Sequence, residues 1–144
     1  MPNWCINTLT IVGHKDDLDL FEETRLEFDY FIPRPIEEEE NWYGWNREHW
    51  GTKWPHRNFS LKIREENLLV VEFETAWSPP IAFLRALLGK YSRCWIKNKF
   101  TIEDGMAGIL VGYYKNGGLI EKAMTWIEPM PCLDCSGNIY VPED

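Results

Sequence analysis

A lysine surrounded by tryptophans is the most suggestive polar residue in this sequence. Lys53 stands between Thr52 and Trp54, in residues 41–55, which hold four of the chain's eight tryptophans. An ammonium group walled by indoles can hold an anion such as a phosphate in a partly desolvated pocket. It can equally pack on the rings through cation–π contacts and fix the segment to the fold. The candidate ligand pocket comprises Trp42, Tyr43, Trp45, Trp50, Lys53, Trp54 and Trp77.

Acid–base chemistry is the second possibility in this stretch. His49 and His56 flank the tryptophans, and Glu48 or Glu74 is available to orient one of them. However, the sequence has no nucleophile motif such as GxSxG. Enzyme activity is therefore not favoured, and we predict no catalytic residues.

Two cysteines near the end of the chain have the spacing of a metal half-site. Cys132 and Cys135 form a CxxC, as in zinc sites and redox pairs. A structural zinc site needs four ligands, and no second pair with metal-ligand spacing is present. We expect free thiols in an irregular tail at about residues 128–144, with no metal and no cofactor.

Length and composition indicate one globular domain. The chain has 144 residues, of which 44% are hydrophobic and 15% aromatic, enough to build a hydrophobic core. No apolar run approaches the ~20 residues that span a bilayer. The first residues have no basic region before their apolar residues and no small-residue cleavage site. We therefore expect a cytoplasmic protein.

The net charge of −8 is concentrated in the first 40 residues, where eleven acids face three basic residues. Such asymmetry favours a basic partner and opposes the approach of nucleic acid. The plainer alternative is that these charges only form a solvated helix face and an acidic loop. The acids of the candidate partner-binding surface are Asp16, Asp17, Asp19, Glu22, Glu23, Glu37, Glu38, Glu39 and Glu40.

These residues must be positioned by alternating strands and two amphipathic helices. Alternation of β-branched and polar residues predicts strands at 4–12, 59–63, 68–77, 94–102, 106–114 and 119–127. Asp16 or Asp17 is predicted to cap a helix that ends near Leu26, and Ser78 to cap a helix that ends near Gly89. Residues 28–35 contain two prolines and are predicted to be extended.

The order of elements predicts an α+β fold. It corresponds to a ferredoxin-like split β-α-β sandwich whose antiparallel sheet is extended by a C-terminal β-hairpin. A Trp-rich insertion, at about 28–57 and with at most short helical turns, lies between the first helix and the second strand. One sheet face is expected to be free of helices, and a second copy of the chain is one candidate to cover it.

Three stretches resemble the YubB-like ferredoxin-like domain family of phages and conjugative plasmids. They are PNWCINTL at residues 2–9, WYGW through WGTKW at 42–54, and ETAWSPP at 74–80. The resemblance implies the same fold and an accessory role in mobile elements. It implies no known catalytic mechanism or cofactor, and an anti-defence role only by association.

The sequence as a whole favours protein binding. We expect an anti-defence inhibitor, such as an anti-CRISPR or anti-restriction protein, whose acidic surface occupies a basic nucleic-acid-binding site on a host complex. The first alternative is a nucleic-acid-binding domain, because Trp95, Lys97 and Lys99 share a strand face, with Tyr113 or Tyr114 nearby. The second is a small-anion or nucleotide-binding domain around the WGTKW segment.

Overall fold

The computed structural model describes residues 3–127 and two short strands beyond them. The strands are β1 (Trp4–Val12), β2 (Arg57–Glu65), β3 (Leu68–Ala76), β4 (Trp95–Ile102), β5 (Met106–Lys115), β6 (Gly118–Ile127), β7 (Cys132–Leu133) and β8 (Ile139–Tyr140). The helices are α1 (Lys15–Thr24), α2 (Phe28–Phe31), α3 (Trp42–His49) and α4 (Ile81–Lys90), with a 3₁₀ turn at Ile36–Glu38.

The main sheet has six antiparallel strands in the order β2-β3-β1-β4-β5-β6. Strands β1 to β4 with α1 and α4 form the predicted split β-α-β unit, which confirms the ferredoxin-like α+β fold. Strands β5 and β6 extend the sheet beyond β4. Their connection contains Asn116 and Gly117, both with positive φ, as a tight hairpin turn between twisted strands requires.

The helices cover one face of this sheet. Strands β1, β3 and β4 alternate buried and more exposed residues along most of their length, as expected for strands packed on one side only. Large apolar side chains from all four helices meet those of the strands in one core. Its largest fully buried members are Phe21, Phe28, Phe73, Phe83, Leu9, Ile11, Leu18, Leu26, Leu69, Leu84, Ile96 and Val71.

Both predicted helix caps are wrong. Helix α1 is capped by His14, whose Nδ1 accepts a hydrogen bond from the backbone N–H of Asp16 (3.2 Å). The helix ends at Thr24, because Arg25 and Leu26 adopt positive φ. Helix α4 begins at Ile81 and not near Ser78. The Ser78 hydroxyl donates instead to the carbonyl of Gly51 (2.8 Å).

The predicted extended segment at 28–35 is wrong for residues 28–31, which form α2 before the prolines. Phe28 and Phe31 are buried on this helix, which ends just before Ile32, the residue preceding Pro33. A residue before proline disfavours the helical region, so the prolines end the helix without preventing it. The acidic run, which is Glu37 to Glu40, likewise begins in the 3₁₀ turn at Ile36–Glu38.

Two strand faces differ from the predicted alternation. A register shift between Leu61 and Ile63 leaves these side chains on opposite faces of β2, where the sequence predicted a shared face. Strand β3 ends at Ala76, and Trp77 has a φ of 68°. Trp77 therefore does not share the buried face of β3, and 43% of it is exposed.

The end of the chain contributes β7 and β8, which pair with each other. The predicted irregular tail lies otherwise outside the described residues, as does Cys135. Among the described residues, no helix has the length and apolar character needed to cross a membrane.

Candidate protein-binding site

The Trp-rich segment is built on α3, a two-turn helix. Trp45 is buried on this helix and Trp50 follows it, and their rings meet edge to face at 5.3 Å. The Trp50 indole N–H donates to the carbonyl of Ile32 (3.0 Å), which ties α3 to the end of α2. Gly44 lies on the exposed side of this helix.

A buried asparagine holds this segment together. Asn46 is 1% exposed. Its amide donates to the backbone carbonyl of Lys53 (2.8 Å), and its carbonyl oxygen accepts from Arg34 Nη1 (2.9 Å). The Thr52 hydroxyl donates to the carbonyl of Ala76 (2.8 Å) and joins the same loop to the end of β3. These hydrogen bonds fix the backbone of the segment that carries the tryptophans.

Gly51 brings this loop against the start of α4. Its φ is 82°, and a Cβ there would lie 3.0 Å from the backbone nitrogens of Ile81 and Ala82. The neighbouring Trp50 carbonyl accepts from the N–H of Phe83 (3.3 Å). Only glycine combines this conformation with so close an approach.

A cleft of about 600 Å³ opens between α2, α3 and the loop after α3. Three indoles line it, with two carboxylates and one guanidinium among the polar groups. Because Asp29 and Glu39 outnumber Arg34, the charge of these groups is negative. The lining residues are Asp29, Arg34, Glu39, Trp42, Asn46, Trp50, Trp54 and Pro55.

One residue of the acidic run, Glu39, lines this cleft. A smaller depression of about 230 Å³ shares Asp29, Arg34 and Glu39 with the cleft and includes Ile36. The Ile36 side chain is 85% exposed. Glu37, Glu38 and Glu40 flank Glu39, and none of them forms an ion pair within residues 3–127. The predicted acidic segment and part of the predicted pocket therefore form one surface, hereafter the Trp–acid cleft.

The remaining members of the predicted pocket lie elsewhere. Lys53 Nζ is 4.5 Å from the centre of the Trp54 ring, 4.9 Å from that of Trp77 and 5.8 Å from that of Tyr43. Trp54 belongs both to this group and to the cleft, whereas Trp45 is buried beneath. Since the ammonium faces three rings, the geometry favours the cation–π alternative.

The histidines do not form the predicted acid–base pair. His49 stacks on Trp45 (4.3 Å between ring centres), and its Nδ1 contacts the Trp45 carbonyl (3.0 Å). His56 lies among Phe28, Phe59 and Phe73 and donates from Nε2 to the carbonyls of residues 25 and 26. Burial is the main cause that lowers the pKa of His56.

Glu74, the acid predicted to orient a histidine, has other partners. Its carboxylate accepts from Arg57 Nε (2.9 Å) and from the Asn58 amide (3.1 Å). Glu48 is exposed on α3. Within residues 3–127 neither glutamate forms an ion pair with a histidine, so the predicted pairing of His49 or His56 with Glu48 or Glu74 is absent there.

The acids of α1 are largely paired within the domain. Asp17 is buried against Arg93 (2.9 Å), and Asp19 binds both Lys15 (2.7 Å) and Arg64 (2.8 Å). The hydrogen bond from Lys15 is the main cause that lowers the pKa of Asp19. Glu22 lies 3.7 Å from Arg64. Asp16 and Glu23 are exposed on α1, which precedes the acidic run in the sequence.

Cysteine and metal chemistry find no support in the described residues. Burial raises the pKa of Cys5 and of Cys94 to about 12, so neither is a thiolate at neutral pH. Within residues 3–127 and the two short strands, no three potential metal ligands cluster.

Sequence reasoning missed four residues that line the cleft, namely Asp29, Arg34, Asn46 and Pro55. Asn46 is a polar residue between Trp45 and Arg47, as expected for an exposed helix position, so only the fold shows that it is buried. Arg34 is flanked by Pro33 and Pro35, which fix its backbone, and this was an available signal for an ordered charged side chain.

The fold and the cleft define a ferredoxin-like α+β domain with a Trp-rich attachment. Residues 49–128 match the family described as the ferredoxin-like domain in Api92-like protein, and the chain belongs to this family. The crystal structure of protein api92 from Yersinia pseudotuberculosis is similar, with a TM-score of 0.71 and 10% sequence identity. The match covers 88% of this chain and 98% of that one. A search of curated proteins gives no match.

Proposed function

We propose that this protein is a protein-binding module that docks through the Trp–acid cleft onto a basic surface of its partner. An arginine or lysine side chain of the partner enters the cleft, and the acidic run contacts further basic residues around it. The observation that carries this proposal is a cleft of about 600 Å³ in which three indoles and two carboxylates meet.

The composition of the cleft favours a cation over an anion. Indole faces attract guanidinium and ammonium groups, by about 0.5–2 kcal/mol each, and Asp29 and Glu39 add charge-assisted hydrogen bonds. Arg34 opposes a cation, but one of its N–H groups already donates to the buried Asn46. An anion would face both carboxylates, which weakens the nucleotide-binding alternative.

The rim adds the kind of contacts that stabilise protein interfaces. Ile36, which lines the depression beside the cleft, is 85% exposed. Exposed apolar and aromatic side chains beside a preformed pocket are typical anchors of binding energy. Because α2 and α3 are held by the Trp50 and Asn46 hydrogen bonds, little conformational entropy is lost on binding.

The acidic surface is narrower than the sequence predicted. Asp17, Asp19 and Glu22 have arginine or lysine partners within the chain, so the proposal rests on residues 37–40 together with Asp29. Residues 37–40 are followed closely in the sequence by Trp42, which lines the cleft. The negative charge therefore accelerates association with a basic partner, and contacts with the indoles slow its dissociation.

The biological setting that we propose is that of a phage or plasmid accessory protein. The WGTKW and TAWSPP strings support it through their resemblance to the YubB-like domains. In that setting the partner is a host defence complex, and the protein inhibits it by occupying a basic nucleic-acid-binding site. Competition between this protein and nucleic acid for the isolated complex would test that step.

Titration with defined peptides tests the cleft itself. An arginine-rich peptide without tryptophan should change the tryptophan emission of the protein saturably at about 50 mM salt, whereas a glutamate peptide of equal length should not. Glu39→Lys should weaken binding at least about tenfold, because it reverses charge within the cleft. Trp42→Ala should weaken it similarly, through loss of one indole wall.

Matched variants separate the cleft from general acidity. Glu23→Lys makes the same charge change on the exposed side of α1 and should leave affinity within about twofold. Equal losses in Glu23→Lys and Glu39→Lys would show nonspecific attraction and would contradict the proposal. A normal unfolding transition in each variant excludes misfolding as the cause.

A further inference from the structure

The sheet face opposite the helices carries an ordered pattern that the Trp–acid cleft does not use. Antiparallel register places residues of β1, β4, β5 and β6 in rows across this face. One row is Val12, Trp95, Tyr113 and Ile120; the next is Thr10, Lys97, Val111 and Lys122; the third is Thr8, Lys99, Ile109 and Met124. No helix among the described residues covers these rows.

Trp95 and Tyr113 form a directly opposed aromatic pair. Side chains in this relation have Cβ atoms about 4.5–5.5 Å apart, and both rings are partly exposed. They also line a depression of about 600 Å³ at the end of β1, β4 and β5, together with Val12 and Arg93. The Trp95 and Tyr113 rings are therefore flat aromatic surfaces beside an open depression.

Three lysines follow this pair on the same face. Lys97 and Lys99 are two residues apart on β4, hence about 7 Å apart along the strand, and Lys122 lies beyond Val111 on β6. Within residues 3–127, Lys97, Lys99 and Lys122 form no ion pair. Glu72 faces the same side of the sheet on β3, and Glu74 there is bonded to Arg57.

We propose that this face binds single-stranded nucleic acid, with bases stacked on Trp95 and Tyr113 and phosphates on Lys97, Lys99 and Lys122. Stacking is tolerant of sequence because every base has a π face. The unpaired lysines are complementary to the backbone and give a salt-dependent attraction. The acids of α1 belong to the helical layer behind the sheet, since Leu18 and Phe21 of this helix pack in the core.

Fluorescence anisotropy of a labelled oligothymidylate of about twelve nucleotides tests this. The full chain should bind it in the micromolar range at low salt. The logarithm of affinity should fall with the logarithm of salt concentration with a slope of about −2, from about −0.7 for each of three phosphate contacts. The combined Lys97→Glu, Lys99→Glu and Lys122→Glu variant should lose binding by more than about tenfold and flatten the slope.

Aromatic variants test the stacking. Trp95→Ala should weaken binding about 5- to 150-fold, the range for loss of one stacked base, and Trp95→Phe should recover most of it. The charge control is Lys62→Glu, an exposed lysine on β2 at the opposite edge of the sheet, which should bind like the unaltered protein. Circular dichroism confirms that each variant is folded.

Several results would overturn the proposal. They are the absence of binding at low salt, equal loss in Lys62→Glu, or equal displacement of the oligonucleotide by a glutamate peptide of the same charge. A dimer in sedimentation experiments that Trp95→Ala dissociates, without oligonucleotide binding, would assign this face to a second copy of the chain. None of these results bears on the arginine-peptide titration, because the two surfaces share no residue.

Discussion

Replacement of one glycine by alanine measures how tightly the Trp-rich loop is packed onto α4. Gly51 and Gly117 have nearly equal φ angles, of 82° and 79°. A Cβ at Gly51 would lie 3.0 Å from two backbone nitrogens of α4, whereas a Cβ at Gly117 would have no heavy atom within 4 Å. The pair therefore separates backbone strain from steric contact.

The expected magnitudes follow from these two differences. The left-handed conformation costs a non-glycine residue about 1–2 kcal/mol, which is the whole effect expected for Gly117→Ala. In Gly51→Ala the backbone must also move by a few tenths of an ångström. Forced displacement of this kind typically adds about 1–3 kcal/mol, so the total loss of unfolding free energy should be about 2–5 kcal/mol.

Urea unfolding followed by circular dichroism is the appropriate assay, since it gives the midpoint and the slope separately. The slope should be unchanged in both variants. The arginine-peptide affinity should fall in Gly51→Ala, because the adjacent Trp50 lines the cleft, and should stay constant in Gly117→Ala. Equal stability losses in the two variants would refute the close packing of this loop on α4.

Two further predictions concern buried polar groups. Burial lowers the pKa of His56 below its ordinary 6.5, so protonation favours the unfolded chain. The contribution of His56 to stability is therefore complete above pH 6.5 and falls as the pH decreases from 6.5 to the lowered pKa. His56→Gln should reduce this pH dependence in urea midpoints measured between about pH 7.5 and 5. Asn46→Ala leaves the Lys53 carbonyl without its donor and should lower the free energy of unfolding in urea by about 2–3 kcal/mol. The control Asn67→Ala removes an exposed hydrogen bond to the carbonyl of Gly13 (2.8 Å) and should lower it by less than about 1 kcal/mol. Similar losses in the two variants would contradict the structural role of Asn46.

The fold could be predicted because its signals are local. Alternation in β1, β3 and β4 reflects burial on one side, and the Asn116–Gly117 turn requires positive φ at both positions. These patterns are properties of a few adjacent residues. Helix α2 was missed because the prolines that follow it suggested an extended chain, and α3 is a two-turn helix in a segment for which at most short helical turns were predicted.

The site could be predicted only in part, because its geometry is not local. Trp42, Trp50 and Trp54 were identified from composition, and Glu39 from the acidic run. Nothing in the sequence shows that Asp17 pairs with Arg93, 76 residues away, or that Asp19 pairs with Arg64. Such pairings depend on the tertiary structure, and they decide which charges remain available to a partner.

Net charge is a poor guide to binding when a domain has two distinct layers. The value of −8 suggests repulsion from nucleic acid, but Lys97, Lys99 and Lys122 lie on the sheet face, and the cleft acids lie in the helical layer. The packed core of the domain lies between these two sets of charges, and at physiological salt the Debye length is only about 8 Å. Solvent-exposed charges on opposite faces are therefore screened from each other, and each face attracts ligands according to its own residues. An acidic protein of this architecture can present a basic surface without contradiction.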